Sequence, residues 1–130
     1  MINSRLISDL SLNGQAWFSR FKVHVESELW LIFGIDWGVC RTKCDREFQA
    51  WLYAQGRTRP GDIVTWTLDS RHIHGEAWDI FILENGKAIW VSPKYGQIAE
   101  VGLRMGLVCG YFWKGKKTDP GHYQTPEVVG

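Results

Sequence analysis

Ser70-Arg71-His72-Ile73-His74-Gly75-Glu76-Ala77-Trp78-Asp79 runs directly into Ile80-Phe81-Ile82-Leu83, and this stretch sets the centre of the fold. The apolar end is strand-like. Asn85-Gly86 follows it, ahead of a second apolar run from Ala88 to Val91. Asn-Gly between two such runs is the strongest short-range marker of a tight hairpin, so the segment predicts antiparallel pairing. Alternation along the first strand sends Ala77, Asp79 and Phe81 to one face and Trp78, Ile80 and Ile82 to the other. A carboxylate on such a strand is costly to bury unless a cation or strong donors answer it. With His72 and His74 close by, a metal is one answer and a plain His–Asp hydrogen bond is the other.

Outward from the strand, residues from about Gln15 to Leu31 carry Phe18, Phe21, Val25 and Leu29 at three- and four-residue spacing. That spacing predicts a helix buried on one face, although Val23 and Val25 also fit a strand. Thr42-Lys43-Cys44-Asp45 has the form of a capping box with Asp in place of Glu. It predicts a second helix that buries Phe48, Trp51 and Leu52 and stops at Gly56. Pro60-Gly61 is a turn, and Ile63 to Thr67 is a β-prone run. Ser92-Pro93 starts a further helix that carries Ile98, Val101 and Met105 and closes near Gly106. The tail from Leu107 to Tyr123 is short, aromatic and turn-rich. Helices come first, strands cluster in the middle and at the end, and βαβ alternation is absent. The order predicts an α+β fold, a small antiparallel sheet packed with N-terminal helices.

A chain of 130 residues suits one domain, residues 1–130, around a single core. Its net charge of +1 gives no general reason to expect nucleic acid as a partner. No apolar run approaches membrane-spanning length, so no stable membrane insertion is expected. Met1-Ile2-Asn3-Ser4-Arg5 has a charge but no hydrophobic region after it, which does not read as a signal peptide. The product is expected to stay in the cytoplasm, as a monomer, unless something else releases it. Cys40, Cys44 and Cys109 form no CxxC pair and read as small buried thiols of a reducing compartment. Eight tryptophans are the one unusual count, and they predict a large core or an aromatic-lined groove.

One His and one Asp are too few ligands for a metal. The candidates for a third are His74, His122 and His24. Catalytic zinc typically takes three protein ligands and leaves a fourth position for water. His122 lies in Asp119-Pro120-Gly121-His122, which also offers a carboxylate three residues earlier. Such a carboxylate can serve as general base in metal-assisted hydrolysis, or it can merely start a turn before Pro120. His24 reads better as a helix-surface or core histidine.

Ser70-x-His72-x-x-Gly75-x-Ala77-x-Asp79 followed by Asp119-x-x-His122 resembles the zinc D,D-carboxypeptidase and L-alanyl-D-glutamate peptidase family, whose fold is shared with the hedgehog signalling domain. Cys40-Arg41-Thr42, Gln49-x-x-Leu52-Tyr53-Ala54-Gln55-Gly56-Arg57-Thr58 and Pro60-Gly61-x-Ile63-Val64-Thr65 are similar to its phage endolysin branch. The resemblance spans residues 34 to 124, most of the chain. It implies Zn2+ held by His72, Asp79 and His122, with Asp119 activating the attacking water. Manganese or cobalt suits the same ligand types. It also implies that Arg41 holds substrate or stabilises the developing oxyanion, and that Ser70 supports the site or the substrate.

The implied partners are peptidoglycan stem peptides. The implied activity is hydrolysis of their L-alanyl-D-glutamate bond by an endolysin kept in the host cytoplasm until lysis. The alternatives are a D-alanyl-D-alanine carboxypeptidase or dipeptidase, and a non-catalytic zinc-binding module, which hedgehog shows this fold can become. His74 falls on a position that the family pattern leaves variable, and reads as a cleft-lining or solvent residue. Most tryptophans are expected in the core, with Trp78 and Trp113 in the cleft. Lys114, Lys116 and Lys117 read as a solvated loop able to dock on an anionic cell wall. The chain departs from the family at Gly110-Tyr111-Phe112-Trp113, where Gly-Gly-Asp-Trp is frequent. The local contact of that Asp is lost, and a reshaped substrate groove is expected.

Overall fold

The expected central strand is β2, Ala77–Glu84, in the computed structural model, which describes residues 1–30 and 33–127. One edge of β2 pairs with β1, Asp36–Arg41. Along its other edge run β3, Lys87–Ile89, and β5, His122–Gln124, and β4, Val108–Cys109, extends the sheet beyond β5. Every pairing is antiparallel. Asn85 and Gly86 take positive φ, 52° and 75°, as the tight hairpin requires. The architecture is α+β with a small antiparallel sheet, as the sequence predicts.

Among the described residues three helices complete it: α1, Leu12–Val25, α2, Arg46–Ala54, and α3, Lys94–Met105. Ser11 caps α1 by accepting a hydrogen bond from Gly14 N at 2.9 Å, so the helix starts earlier than the apolar spacing suggests. It runs on into one wider turn, Glu26–Trp30; the predicted end at Leu31 lies outside the described residues. The alternation of β2 holds. Trp78, Ile80 and Ile82 are buried against α1 and α3, with Phe18 and Phe21 from one helix and Ile98 and Val101 from the other. Phe18 and Phe21 each lie 5.4 Å from Trp78 by ring centroid, and Phe21 lies 4.7 Å from Tyr123. Each such aromatic pair adds about 0.5–1.5 kcal/mol beyond its burial. This face of the sheet is the core, so Asp79 points out of the other.

Three expectations change. Asp45, not Thr42, caps α2, accepting from Phe48 N at 2.8 Å. That shift turns Gln49 inward as the buried residue of α2, in place of Phe48, Trp51 and Leu52. The Gln49 amide is satisfied there, and Trp51 is left exposed beneath the Arg59 guanidinium, 3.9 Å from its ring. Ile63 to Thr67 forms no strand: no neighbour among the described residues offers it a ladder, and side chains of Arg57 and Gln49 take the carbonyls of Thr65 and Thr67 instead. Conversely β1, which has a glycine in its interior, gives no strand signal in the sequence and yet pairs along β2. No described helix is long and apolar enough to cross a membrane.

Candidate metal centre

Strand pairing brings the distant ends of the chain together. In the β2–β5 ladder Asp79 lies directly opposite His122, although 43 residues separate them in sequence. His72 arrives from the other side, on a single turn, Arg71–His74, that Ser70 caps by accepting from His72 N at 3.2 Å. Gly75, at φ 69°, then swings the chain into β2. A side chain at Gly75 would also strike the backbone of Ser11, so the turn is tied to the start of α1.

The result is a convergent donor set. His72 Nε2 lies 3.1 Å and His122 Nδ1 3.0 Å from the same oxygen, Asp79 Oδ1. The three candidate ligand atoms lie within 4.8 Å of one another, and both imidazoles are buried. The outer nitrogens fix the tautomers. His72 Nδ1–H donates to the carbonyl of Thr42 at 2.5 Å, and a carbonyl can only accept. His122 Nε2–H donates to Gln124 Oε1 at 2.8 Å, with the amide oriented by this network. In its neutral form each ring therefore aims a lone pair at a carboxylate oxygen about 3 Å away. Lone pairs facing at that distance repel unless a cation, a proton or a metal, lies among them.

Titration follows the same logic. Burial raises the Asp79 carboxyl, but the neighbouring imidazoles overcome it and hold the group well below the ordinary carboxylate range. Burial lowers His122, but its bond to Asp79 and the charges of Asp79 and Asp119 raise it above the ordinary imidazole value. Two nitrogens and one oxygen, with both imidazoles braced from behind, are a donor set that suits zinc. His72, Asp79 and His122 thus fit the ion that the sequence suggests.

Asp119 stands at the rim of the same cleft. Its N–H donates to Gly110 O at 2.9 Å, and its carbonyl accepts from His122 N at 3.1 Å, so the carboxylate and the candidate ligand share one turn. Gly110 is packed so closely beneath this turn that a β-carbon would meet the Asp119 carbonyl and the β-carbon of His122. The surrounding protein partly strips water from the Asp119 carboxyl and the Asp79 charge repels it. Both raise its pKa, against lowering by His122, His72 and Arg41.

Arg41 ends β1 opposite Asp79. Its Nη2 donates to Cys44 Sγ at 3.1 Å and to Gln49 Oε1 at 3.2 Å. Its Nε is buried with no protein partner among the described residues. Arg41, Ser70, His72, His74, Trp113, Asp119 and His122 line one cavity of about 390 Å³. Trp113 is its aromatic wall, 5.1 Å from the His122 ring.

The structure leaves other sequence candidates outside the donor cluster. His74 is half-exposed and bonds to Asp69 at 3.0 Å, away from the donor cluster. His24 is on the surface of α1 beside Glu28. Trp78, expected in the cleft, is a correction: it is fully buried in the core, because alternation sends it to the face opposite Asp79. Cys40, Cys44 and Cys109 are free thiols, and burial pushes Cys40 up to about 11 and Cys109 up to about 12.

The bracing residues Thr42, Gln49, Gly110 and Gln124 are not among the site candidates of the sequence. Gln124 had a signal, since it lies two positions after His122 on one strand face. The Thr42 carbonyl had none.

No protein-family model matches the sequence, and no curated protein matches it. Among solved structures the fold is similar to the crystal structure of the L-Ala D-Glu endopeptidase ChiX from Serratia marcescens. The TM-score is 0.63 at 21% identity, over 92% of this chain and 83% of that one. The likeness establishes the fold: an α+β chain of the same architecture as a known endopeptidase.

Proposed function

We propose that the chain is a zinc-dependent peptidoglycan endopeptidase that hydrolyses the L-alanyl-D-glutamate bond of stem peptides, and that it is a phage endolysin. One observation carries the reading. Two tautomer-locked imidazoles and a carboxylate converge on a cleft whose rim holds a second carboxylate with a raised pKa. The sequence motifs and the fold likeness to an L-Ala D-Glu endopeptidase support the same reading. His72, Asp79 and His122 would hold zinc, which would supply Lewis acidity and a water of lowered pKa, about 7.

The other groups belong to the chain. Asp119 takes the proton of the attacking water and delivers it to the leaving amine. Its raised pKa brings it nearer to the working pH, where a general base is most effective. Arg41 turns its N–H groups to the oxygen that gains charge, and Gln49 and Cys44 hold the guanidinium in place beforehand. Ser70 secures the turn that carries His72. Trp113 shields one side of the cleft from water. The enzyme acts as a monomer, stays in the host cytoplasm and reaches the wall through a membrane lesion at lysis.

The test is fragment analysis. Purified protein with zinc is incubated with isolated sacculi, and mass spectrometry is expected to show new D-glutamate N-termini. Release of free D-alanine would move the assignment to a carboxypeptidase. Tight zinc loading without cleavage of any muropeptide would leave a binding module.

A further inference from the structure

A second groove, of about 800 Å³, meets the cleft at Trp113 and Asp119 and runs between residues 63–67 and 112–118. The two arms differ in charge. The cleft arm sets Arg41 and Arg71 against Asp69, Asp119 and Glu127. The groove sets Lys114, Lys116 and Lys117 against Asp119 alone. None of the three lysines pairs with a carboxylate among the described residues. They ride on a short loop whose base is pinned: Thr118 Oγ donates to the carbonyls of Gly110 and Tyr111, and Trp113 N–H donates to Gly110 O at 3.1 Å. Trp66 and Trp113, 47% and 37% exposed, wall the groove with apolar surface. The groove is therefore a cationic, aromatic-walled extension that begins at the proposed base.

We infer that this groove is the subsite for the carboxylate-bearing side of the substrate, and that Lys114, Lys116 and Lys117 select free carboxylates over amides. The inference rests on the stem-peptide reading above. In a stem peptide the glutamate is linked through its side chain, so its α-carboxylate is free, and the free carboxylates lie on the glutamyl side of the scissile bond. Charge complementarity then orients the chain: the D-glutamyl portion enters the lysine groove, and the alanyl portion lies along Arg41.

The test is calorimetric titration with γ-D-glutamyl-L-lysine as free acid and as α-amide, against wild type and Lys114→Gln/Lys116→Gln/Lys117→Gln. Wild type is expected to bind the acid about tenfold tighter than the amide, a gap that the triple variant erases and that added salt narrows. With whole stem peptides the triple variant is expected to raise KM for the acid form, with kcat little changed. Equal binding of acid and amide by wild type, no binding of either, or a gap that survives in the variant overturns the inference. So does a variant that keeps the gap but no longer sediments with whole walls, for the lysines would then grip an anionic wall polymer. Wild type that binds the dipeptide but cleaves no stem peptide counts against the endopeptidase reading and leaves the groove assignment standing.

Discussion

The two walls of the cleft are built in different ways. The wall that carries the candidate metal ligands rests on β2, β5 and one capped turn; its imidazoles are buried, and the outer nitrogen of each has a fixed partner. The opposite wall is made of residues 61–69 and 111–118, which form no sheet pairing and expose Trp66, Phe112 and Trp113. Convergence of three donors on one point demands rigid supports, because errors of half an ångström count there. Gripping a peptide demands surface and charge, which loops on a rigid frame supply.

The sharpest way to break this contrast is to remove a ligand. His122→Ala is expected to lose stoichiometric zinc by mass-spectrometric metal analysis. Hydrolysis should fall by more than the roughly 10–100-fold typical of losing an outer-shell partner. Undiminished zinc in this variant would sink the third-ligand assignment. Asp119→Asn probes the rim instead. Its expected loss is about 10²–10⁴-fold in kcat, with one zinc retained. A variant that gives up its metal would move Asp119 into the ligand set and erase the distinction between wall and rim.

The same contrast explains what the sequence discloses. β2 is legible because alternation and an Asn-Gly turn are local signals. β1 is not: Gly38 interrupts it, and the glycine serves a partner, since a β-carbon there would press into the Phe81 ring. β5 has three residues and exists through its pairing, so only the motif pointed to His122. Nearness in sequence to Asp79 suggests the cleft for Trp78, but the alternation of the same strand puts it in the core. Ile63 to Thr67 shows the reverse error, β-propensity without a neighbouring edge to satisfy it.

Gly110→Ala tests whether the rim is as rigid as the ligand wall. The added methyl meets the Asp119 carbonyl and the β-carbon of His122, neither of which moves without shifting the Asp119 or His122 side chain. Overpacking of this kind costs about 1–3 kcal/mol in chemical denaturation. It should also weaken zinc binding, which a purely global destabilisation leaves intact in the folded fraction. Unchanged stability and zinc affinity would show that this turn yields like the loops beyond it.

Beneath the candidate centre, Glu76 ties the segment of His72 and Asp79 to that of His122. Its carboxylate accepts from Ser11 Oγ, from Asn13 Nδ2 at 2.9 Å and from Thr125 Oγ1 at 2.5 Å, and so links the start of α1 to the residue just past β5. Burial raises its pKa, but these bonds and the Arg71 charge prevail and lower it below the ordinary carboxylate value. A folded pKa below the unfolded one gives stability that is fully present above the unfolded value, about 4.3, and is lost as pH falls through the folded value. Glu76→Gln is therefore expected to cost about 1 kcal/mol at pH 7. The gap to wild type should stay flat down to about pH 5 and close below pH 4. A gap independent of pH would mean that packing, not the charged bonds, holds these segments together, and the ligand wall would then owe its rigidity to the core behind β2 alone.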